Sequence, residues 1–257
     1  NNVLNEVRLR LLSVEYSDPY MNLALEEAIF KRVSDGRAQN TLRLWRNFSA
    51  VIIGRFQCAS LEVNEEACKR YGIQIVRRIT GGGAVYHDFE GEITYSLIVD
   101  EGNPKIPFDI IKSYSVICKG IVIGLKTLGL NPEFKPINDI VINNKKISGN
   151  AQTRKSGVVL QHGTILIRVD VKKMFSLLKV SKEKISDKEI KKAEERVTSI
   201  EREIGKTKEE RVINAIVDGF AENMNIDFYR ENLNDEEKEI AKKLEEKYAS
   251  KEWNFKR

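Results

Sequence analysis

A run of three glycines, Gly81 to Gly83, follows Arg77 and Arg78 and precedes the small residue Ala84. Glycine costs backbone entropy in any regular element, so such a run is typical of a place where the chain turns at unusual φ or lets another molecule approach closely. Main-chain N–H groups and guanidinium forks that converge on one point bind phosphate or carboxylate. The stretch therefore predicts an anion site, and its alternative is a glycine-rich β-turn with surface arginines.

A second group of chemically capable residues surrounds Lys146. Strand alternation from Lys146 through Ser148 to Asn150 predicts that an ammonium and two short polar groups share one face. A lysine near a phosphate and a carboxylate can bridge both anions and stabilise negative charge that grows at phosphorus. The alternative is a surface lysine in a hairpin. A cleft is favoured by the small and polar residues nearby, which are Asn138, Asp139, Gly149, Ala151, His162, Gly163 and Thr164.

Other chemistries find little support in the sequence. The glycine run is not a Walker A sequence, because no Gly-Lys-Ser or Gly-Lys-Thr follows, and it does not open a helix as GxGxxG does. His87 and His162 are expected to line the site, because a single histidine beside a turn usually makes a structural hydrogen bond. A thiol mechanism has no evident nucleophile beside Lys146. The cysteines are Cys58, Cys68 and Cys118.

Composition sets the broad class. A chain of 257 residues can bury a full core as one large α/β domain. No apolar run reaches the roughly 18 residues that span a bilayer, and Asn1 to Leu12 lacks a signal-peptide layout, so a cytoplasmic location away from membranes is expected. The 43 basic and 38 acidic residues are mixed, so nucleic acid is not an expected partner. Three cysteines without CxxC spacing argue against structural zinc and predict reduced, mostly buried thiols.

Hydrophobic periodicity predicts the elements that must position these groups. Predicted strands are Val7 to Val14, Thr41 to Trp45, Val51 to Ile53, Ile73 to Arg77, Ile93 to Val99, Ile140 to Ile142, Lys145 to Gly149, Gly157 to Gln161 and Gly163 to Val169. Predicted helices begin at Asp18-Pro19, Asn64, Asp109, Glu210 and Asn234.

Three finer expectations concern how these elements pack. The strands that end at Trp45 and begin at Val51 should pair with each other. Arg10 should lie on the polar face of a half-buried strand. Gly120 and Gly124 should let the long helix, with Ile110 on its inward face, pack closely on a sheet.

The element order predicts the fold class. Strands interrupted by single helices, followed by helices alone, predict one α/β domain with a mixed, largely antiparallel sheet flanked by helices. Between Lys179 and Arg211 the composition shifts to 11 basic and 9 acidic residues with few large apolar groups. This segment is predicted to be a solvated helix or a mobile loop.

The ordered motifs resemble those of lipoate-protein ligase A, in the group that also holds biotin-protein ligases and octanoyltransferases. The set is highly specific and runs through nearly the whole length: Asp18 to Glu27, Leu44 to Asn47, Ile53 to Arg55, Arg77 to Asp88, Asn138 to Ile140, Lys146 to Gly149, His162 to Thr164, Arg196 to Thr198 and Trp253 to Phe255.

The resemblance implies a two-step reaction. ATP, with Mg²⁺, and lipoate form lipoyl-AMP, and the lipoyl group then passes to a lysine of a carrier domain. Lys146 would contact both the α-phosphate and the lipoyl carboxylate. Asn138 and Asp139 would serve the adenosine or metal side, with Asp139 as the magnesium ligand. The residues implied to hold the nucleotide and acyl group are Arg78, Gly81, Gly82, Gly83, Ala84, Val85, Tyr86, Asn138, Asp139, Gly149, Ala151, His162 and Thr164.

The resemblance also implies partners. They are lipoyl domains of 2-oxoacid dehydrogenase E2 subunits and the glycine cleavage H protein. Longer ligases of the family carry a C-terminal accessory domain, whereas residues 1–257 resemble the catalytic domain alone, so a separate accessory protein is expected. Residues 179–200 match a loop that closes over the adenylate, as their composition suggests.

One departure leaves the reaction open. Ser148 to Arg154 and Leu160 to Gly163 also resemble octanoyltransferases that work through an acyl-cysteine, but Asn131 to Pro136, where that cysteine is expected, holds none. ATP-dependent ligation is therefore favoured. The alternatives are ATP-independent acyl transfer and an adenylate-binding subunit that is inactive alone. Acyl preference, acceptor and oligomeric state stay open.

Overall fold

The structure, a computed structural model, describes residues 8–13, 17–179 and 187–257. In this part of the chain the strands are β1 (Arg8–Leu12), β2 (Thr41–Trp45), β3 (Ala50–Ile53), β4 (Gln74–Arg77), β5 (Val85–His87), β6 (Glu92–Asp100), β7 (Glu133–Lys135), β8 (Asp139–Ile142), β9 (Lys145–Lys155), β10 (Val158–Leu166) and β11 (Asp227–Arg230). The helices are α1 (Pro19–Ser34), α2 (Ala59–Glu62), α3 (Glu65–Tyr71), α4 (Ile110–Thr127), α5 (Val171–Leu177), α6 (Asp187–Glu194), α7 (Ile200–Ile204), α8 (Glu209–Met224), α9 (Asp235–Ala249) and α10 (Lys251–Asn254). The predicted strand ends at positions 7 and 14, and positions 180–186 of the predicted covering loop, lie outside the described residues.

The strands form two sheets. The larger has the order β11-β1-β2-β6-β10-β9-β8-β7 and the smaller the order β4-β3-β5. In the larger sheet β1 runs parallel to β11 and β2, and the other neighbours are antiparallel. This arrangement, flanked by helices, confirms the predicted mixed, largely antiparallel α/β fold.

The expected pairing of β2 with β3 is wrong. β2 pairs with β6 in the larger sheet, whereas β3 pairs with β4 and β5 in the smaller one. The residues between them carry the chain from one sheet to the other. The side-chain amide of Asn22 donates to the carbonyl of Arg46 and to Oδ1 of Asn47, which holds this crossing against α1.

Capping explains where α1 begins. The carboxylate of Asp18 accepts hydrogen bonds from the main-chain N–H groups of Tyr20 and Met21, and Pro19 occupies the first turn, as predicted. The buried face of α1 packs with Ile98 and Leu160, which belong to β6 and β10. This places α1 on the sheet face that also carries the site described below.

The opposite face of the larger sheet is covered by α4 and α8. The expectation that Gly120 and Gly124 approach the sheet is wrong, because they lie against α8 instead. A Cβ on Gly124 would lie 2.5 Å from the Ala215 carbonyl oxygen, and a Cβ on Gly219 would lie 2.2 Å from that of Gly120. The inward placement of Ile110 is also wrong, because this first residue of α4 is 52% exposed.

Arg10 does not lie on a polar outer face. It is buried beneath α9, and its two terminal nitrogens donate to the carboxylate of Glu237 at 2.7 and 2.6 Å. Such a bidentate pair satisfies both buried charges. Among the described residues, no helix is both long and apolar enough to cross a membrane.

Candidate active site

A cavity of about 150 Å³ lies on the α1 face of the larger sheet and brings together most of the predicted site residues. We call Gly82, Gly83, Ala84 and Val85 the glycine wall, and Asn138, Asp139, Lys146 and Gly149 the lysine wall. Arg78, Ala151, His162 and Thr164 also line the cavity, whereas Gly81 and Tyr86 do not.

Strand alternation explains the position of Tyr86. Val85 and His87 point into the cavity, so the residue between them faces the other side of the smaller sheet. There Tyr86 packs with Val51 and Leu177 in a separate apolar cluster. The aromatic ring is therefore held away from the predicted acyl site.

A buried cation shapes the glycine wall. Arg78 donates from Nε to Thr80 Oγ1 at 3.0 Å and from Nη2 to the carbonyls of Gly81 and Gly83 at 2.7 and 2.8 Å. Burial lowers the pKa of Arg78 to about 10, so the guanidinium remains charged at neutral pH. Its fork fixes the loop from within, and the main chain of Gly82 and Gly83 forms part of the cavity surface.

The glycines are needed for two separate reasons. Gly82 has φ +94°, which is the left-handed region that favours glycine. Gly54 packs directly under the loop, because a Cβ there would lie 2.1 Å from the Gly82 carbonyl oxygen. The shape of the wall thus requires a glycine at position 54, in the neighbouring loop.

The expectation that both arginines converge on an anion is wrong for Arg77. This side chain is fully buried and does not line the cavity. It precedes Arg78 in the chain and points the opposite way, as alternation requires. Its guanidinium donates to the main-chain carbonyls of Gly54, Arg55, Gln57, Trp253 and Asn254.

On the lysine wall a β-bulge changes the predicted alternation. Ile140 pairs with Ser148 but Val141 pairs with Lys146, so Ile147 is an extra residue in β9. The bulge turns Lys146 toward the cavity, whereas Ser148 is buried away from it. The prediction that these two residues share a face is wrong.

Lys146 is held at the cavity by its side chain and its main chain. Its Nζ lies 3.1 Å from Asp139 Oδ1, and both side chains are partly exposed. A Cβ on Gly149 would lie 3.5 Å from that Nζ, so this glycine leaves room for the lysine. The Lys146 N–H donates to the Arg196 carbonyl, and the Thr198 N–H donates to the Lys146 carbonyl. The segment after α6 is therefore bound to the strand that bears the lysine.

A reciprocal amide pair fixes the rim beside the lysine. Asn138 Nδ2 donates to the Asn150 carbonyl at 2.8 Å, and Asn150 Nδ2 donates to the Asn138 carbonyl at 3.0 Å. The buried Tyr95 hydroxyl donates to Asn150 Oδ1. These bonds connect the rim to the core beneath the sheet.

His162 lines the cavity and belongs to a buried series of hydrogen bonds that runs from Glu26 to Thr80. Burial alone would raise the pKa of Glu26, but the charge and hydrogen bond of His162, with help from Ser96 and Arg43, lower it. The ionised carboxylate accepts from His162 Nδ1 at 3.0 Å, and the other ring nitrogen, Nε2, shares a hydrogen bond with the Thr80 hydroxyl at 2.5 Å. These hydrogen bonds hold the imidazole against Thr80, which also binds the guanidinium of Arg78 behind the glycine wall.

The inner end of the cavity holds a neutral histidine. Burial, together with repulsion from Arg78 and His162, lowers the pKa of His87 to about 3, while burial raises the pKa of Glu92 to about 8. His87 Nδ1 lies 3.1 Å from Asn47 Nδ2 and 3.5 Å from Glu92 Oε1. Sequence reasoning missed four lining residues here, Leu23, Trp45, Ile52 and Thr94, although the first two lie within motifs quoted above.

No cysteine lines the cavity. Cys68 and Cys118 are buried and Cys58 is half-buried, as expected. Burial raises the pKa of the Cys118 thiol to about 12, and its Sγ accepts from Gln161 rather than facing the cavity. Within residues 8–13, 17–179 and 187–257, no group of three or more His, Cys, Asp or Glu residues is arranged to hold a metal ion.

A family model described as the lipoyl protein ligase A/B catalytic domain matches residues 18–221. The chain belongs to this family of lipoyl ligases and transferases. It is 38% identical over 260 residues to the octanoyltransferase LipM of Clostridioides difficile (strain 630), covering 92% of this chain and 94% of that one. It is 35% identical over 261 residues to lipoate-protein ligase A subunit 1 of Thermoplasma acidophilum, covering 97% of each.

Two solved structures share the fold closely. One is a bi-partite lipoate protein ligase of Thermoplasma acidophilum, studied with its E2 lipoyl domain, with a TM-score of 0.88 at 34% identity over 97% of this chain and 96% of that one. The other is a lipoate-protein ligase A bound with ATP, with a TM-score of 0.84 at 31% identity over 96% of this chain and 98% of that one.

Proposed function

We propose that this protein activates lipoate with ATP, forming lipoyl-AMP and pyrophosphate, and then transfers the lipoyl group to a lysine of a carrier domain. The observation that carries the proposal is the meeting of the Lys146 ammonium with a bare main-chain wall in a cavity that no thiol lines. Ligation needs the ammonium and the main-chain wall, and it needs no nucleophile from the protein.

The first step brings two anions together. A carboxylate oxygen of lipoate attacks the α-phosphorus of ATP, the bond from that phosphorus to the bridging oxygen breaks, and pyrophosphate leaves with the electron pair. Lys146 lowers the repulsion by donating to the carboxylate and the α-phosphate, and Asp139 keeps its ammonium in place. The glycine wall lets phosphate oxygens approach main-chain N–H groups.

The second step makes the amide. The acceptor amine attacks the acyl carbon, the bond between that carbon and the phosphate oxygen breaks, and AMP departs while the nitrogen releases its proton to solvent. The partly exposed Lys146 then stabilises the negative charge of the departing phosphate. The inner residues around Trp45, Ile52 and Leu23 hold the acyl chain away from water.

The residues that line the cavity could hold a magnesium ion only if the phosphates of ATP supplied most of its ligands. Asp139 supplies one partly exposed carboxylate, and the described residues contain no cluster of three ligands. Mg²⁺ commonly binds through one or two carboxylates together with substrate phosphates. Asp139 would hold the ion, which would neutralise phosphate charge.

ATP-independent octanoyl transfer is the second candidate, favoured by the 38% identity to an octanoyltransferase. That reaction, as the resemblance implies, passes through an acyl-cysteine. Cys118, the buried thiol of the α4 face, is protonated at neutral pH because burial raises its pKa to about 12. This state weakens it as a nucleophile.

Two assays on the purified protein separate the candidates. Pyrophosphate release is measured with ATP and lipoate or octanoate, with and without the accessory subunit of the bi-partite ligase. Octanoyl transfer from an octanoyl-carrier is measured without ATP. We expect pyrophosphate release that persists in the Cys58→Ser, Cys68→Ser, Cys118→Ser variant. Transfer without ATP that this variant loses would overturn the proposal.

The acceptor is tested with E2 lipoyl domains and with a glycine cleavage H protein, each followed by the mass gain of one lipoyl group. We expect both to be modified at a single lysine. A carrier whose target lysine is replaced by arginine is the control and should gain nothing.

A further inference from the structure

A basic and aromatic surface lies directly beside the glycine wall. We call it the basic-aromatic surface and define it by Arg55, Phe56, Trp253, Lys256 and Arg257. The Arg55 N–H donates to the Thr80 carbonyl at 2.9 Å. The Phe56 ring lies 3.9 Å from the position of a Cβ on Gly81 and is 63% exposed. The surface is thus continuous with the outer side of the loop that forms the wall.

Cations cover both rings of this surface. The guanidinium carbons of Arg55 and Arg257 lie 5.6 and 5.7 Å from the centre of the Phe56 ring. The ammonium groups of Lys247 and Lys256 lie 4.2 and 4.1 Å from the ring centre of Trp253. Such stacking keeps long cationic side chains ordered at an exposed site.

The positive charge is not neutralised by the protein itself. Lys247 pairs with Glu27 at 2.7 Å, but no carboxylate of the described residues forms an ion pair with Arg55, Lys256 or Arg257. Partial burial and repulsion from the nearby arginines and Lys247 lower the pKa of Lys256. An acidic partner would remove this repulsion.

A concave pocket adjoins the surface. A second cavity of about 400 Å³ is lined by Arg55, Lys247 and Trp253 together with Lys31 and Lys155, and by the carboxylates of Glu27 and Asp35. It is large enough for a side chain from a partner. Glu27 pairs with Lys31 and Lys247, which leaves Arg55 and Lys155 as the cations of the lining that suit a carboxylate. Aromatic and arginine residues around a desolvated pocket are the usual anchors of a protein interface.

We infer that the basic-aromatic surface docks an acidic face of the acceptor domain; this rests on the proposed transfer to a carrier. On this proposal the acceptor lysine enters the cavity over Gly82 and Gly83, which are the exposed part of the glycine wall. A folded domain placed there covers the adjoining surface. Acidic residues near its target lysine then meet Arg55, Lys256 and Arg257, which steers the encounter.

The test is a binding titration without ATP. The probe is the E2 lipoyl domain of Thermoplasma acidophilum, fluorescently labelled and with its target lysine replaced by alanine. The variant is Lys256→Glu with Arg257→Glu, and the matched control is Lys119→Glu with Lys126→Glu, which changes charge equally on α4 across the sheet. We expect Kd for the probe to rise at least about tenfold in the variant and to stay unchanged in the control.

Further readouts define what would overturn the inference. The difference between variant and wild type should shrink at 0.5 M salt, where exposed charges are screened within about 5 Å. Pyrophosphate release without carrier should be unchanged. An unchanged Kd, a wild-type protein that does not bind the probe, or a variant that loses only the accessory subunit or a DNA duplex would each refute the docking surface. Probe binding through this surface by a protein that releases no pyrophosphate would refute the proposed function alone.

Discussion

The two walls of the cavity are built in opposite ways. The glycine wall is main chain at Gly82 and Gly83, and its shape is fixed by the buried Arg78 beneath it and by close contact with Gly54. The lysine wall presents the half-exposed side chains of Lys146 and Asp139, whose ammonium and carboxylate pair with each other. The guanidinium of Arg78 therefore has a structural role, whereas the ammonium of Lys146 remains available to a ligand.

This difference separates stability from chemistry. A buried cation bound to main-chain carbonyls cannot be removed without leaving unsatisfied acceptors, so its loss costs free energy of unfolding. A half-exposed ammonium contributes little to stability, because water replaces its partner. Substitutions on the two walls should consequently affect different measurements.

The largest effect is expected from Lys146→Ala. Loss of the ammonium that offsets charge on the carboxylate and α-phosphate should lower the rate of pyrophosphate release by about 10²–10³-fold, with an unchanged unfolding midpoint. Lys145→Ala is the control, because Lys145 precedes Lys146 in β9 and does not line the cavity. A Lys146→Ala protein that releases pyrophosphate at the wild-type rate would remove the chemical role from the lysine wall.

Arg78→Lys should act through the fold instead. Lysine cannot reproduce the fork that binds Thr80, Gly81 and Gly83, so the free energy of unfolding should fall by about 3 kcal/mol. Urea unfolding measures this loss. The same exchange at the exposed Arg8 should change stability by less than about 0.5 kcal/mol. If the Arg78→Lys and Arg8→Lys variants were equally stable, Arg78 would not be what holds the glycine wall in shape.

Gly54→Ala tests the contact beneath the glycine wall. The added Cβ would meet the Gly82 carbonyl at 2.1 Å, so the loop must shift, at a cost of about 1–3 kcal/mol. The KM for ATP should rise while Lys146 remains intact. Gly102→Ala is the matched control, because nothing lies within 4 Å of its Cβ position. A Gly54→Ala protein with wild-type KM would show that the wall tolerates displacement.

The smallest effect concerns the inner end of the cavity and depends on pH. Unfolded Glu92 ionises near pH 4.5, whereas the folded carboxyl keeps its proton until about pH 8, so its contribution to stability falls as pH rises through this range. Unfolded His87 takes up a proton near pH 6.5 and the folded residue only near pH 3, so its contribution rises with pH between those values. Above about pH 6.5 only Glu92 still changes the stability, which falls as the pH rises.

Glu92→Gln isolates that loss. The stability of the wild type relative to the variant should fall between pH 6.5 and 8 by up to about 1.4 kcal/mol per pH unit. Thermal unfolding across this range measures the difference, and Glu90→Gln at an exposed position is the control. A constant difference between wild type and Glu92→Gln would mean that the buried carboxyl is already ionised.

The sequence predicted features that depend on local chemistry. Asp18 and Pro19 mark the start of α1, and Asn143 and Asn144 form the positive-φ turn between β8 and β9, because these residue types have strong local preferences. The glycine run was recognised as a contact surface for the same reason. Its role in holding a ligand stays a prediction.

The remaining features depend on contacts with distant parts of the chain. The bulge at Ile147 arises from the register between β8 and β9, so alternation alone misplaced Lys146 relative to Ser148. Pairing of β2 with β6 rather than β3 is likewise a choice between distant partners. Arg77 ends β4 and Arg78 follows it directly, so alternation along the extended chain could have predicted that their side chains point in opposite directions.

Arg77 has a practical consequence for protein engineering. Its guanidinium and main-chain N–H are bonded to Trp253 and Asn254, far along the chain. A shortened protein that stopped before these residues would leave a cation sealed in the interior without its acceptors, next to the loop that supports the cavity. A fusion junction or purification tag placed before Asn254 would break these bonds, because α10 supports the loop beside the cavity.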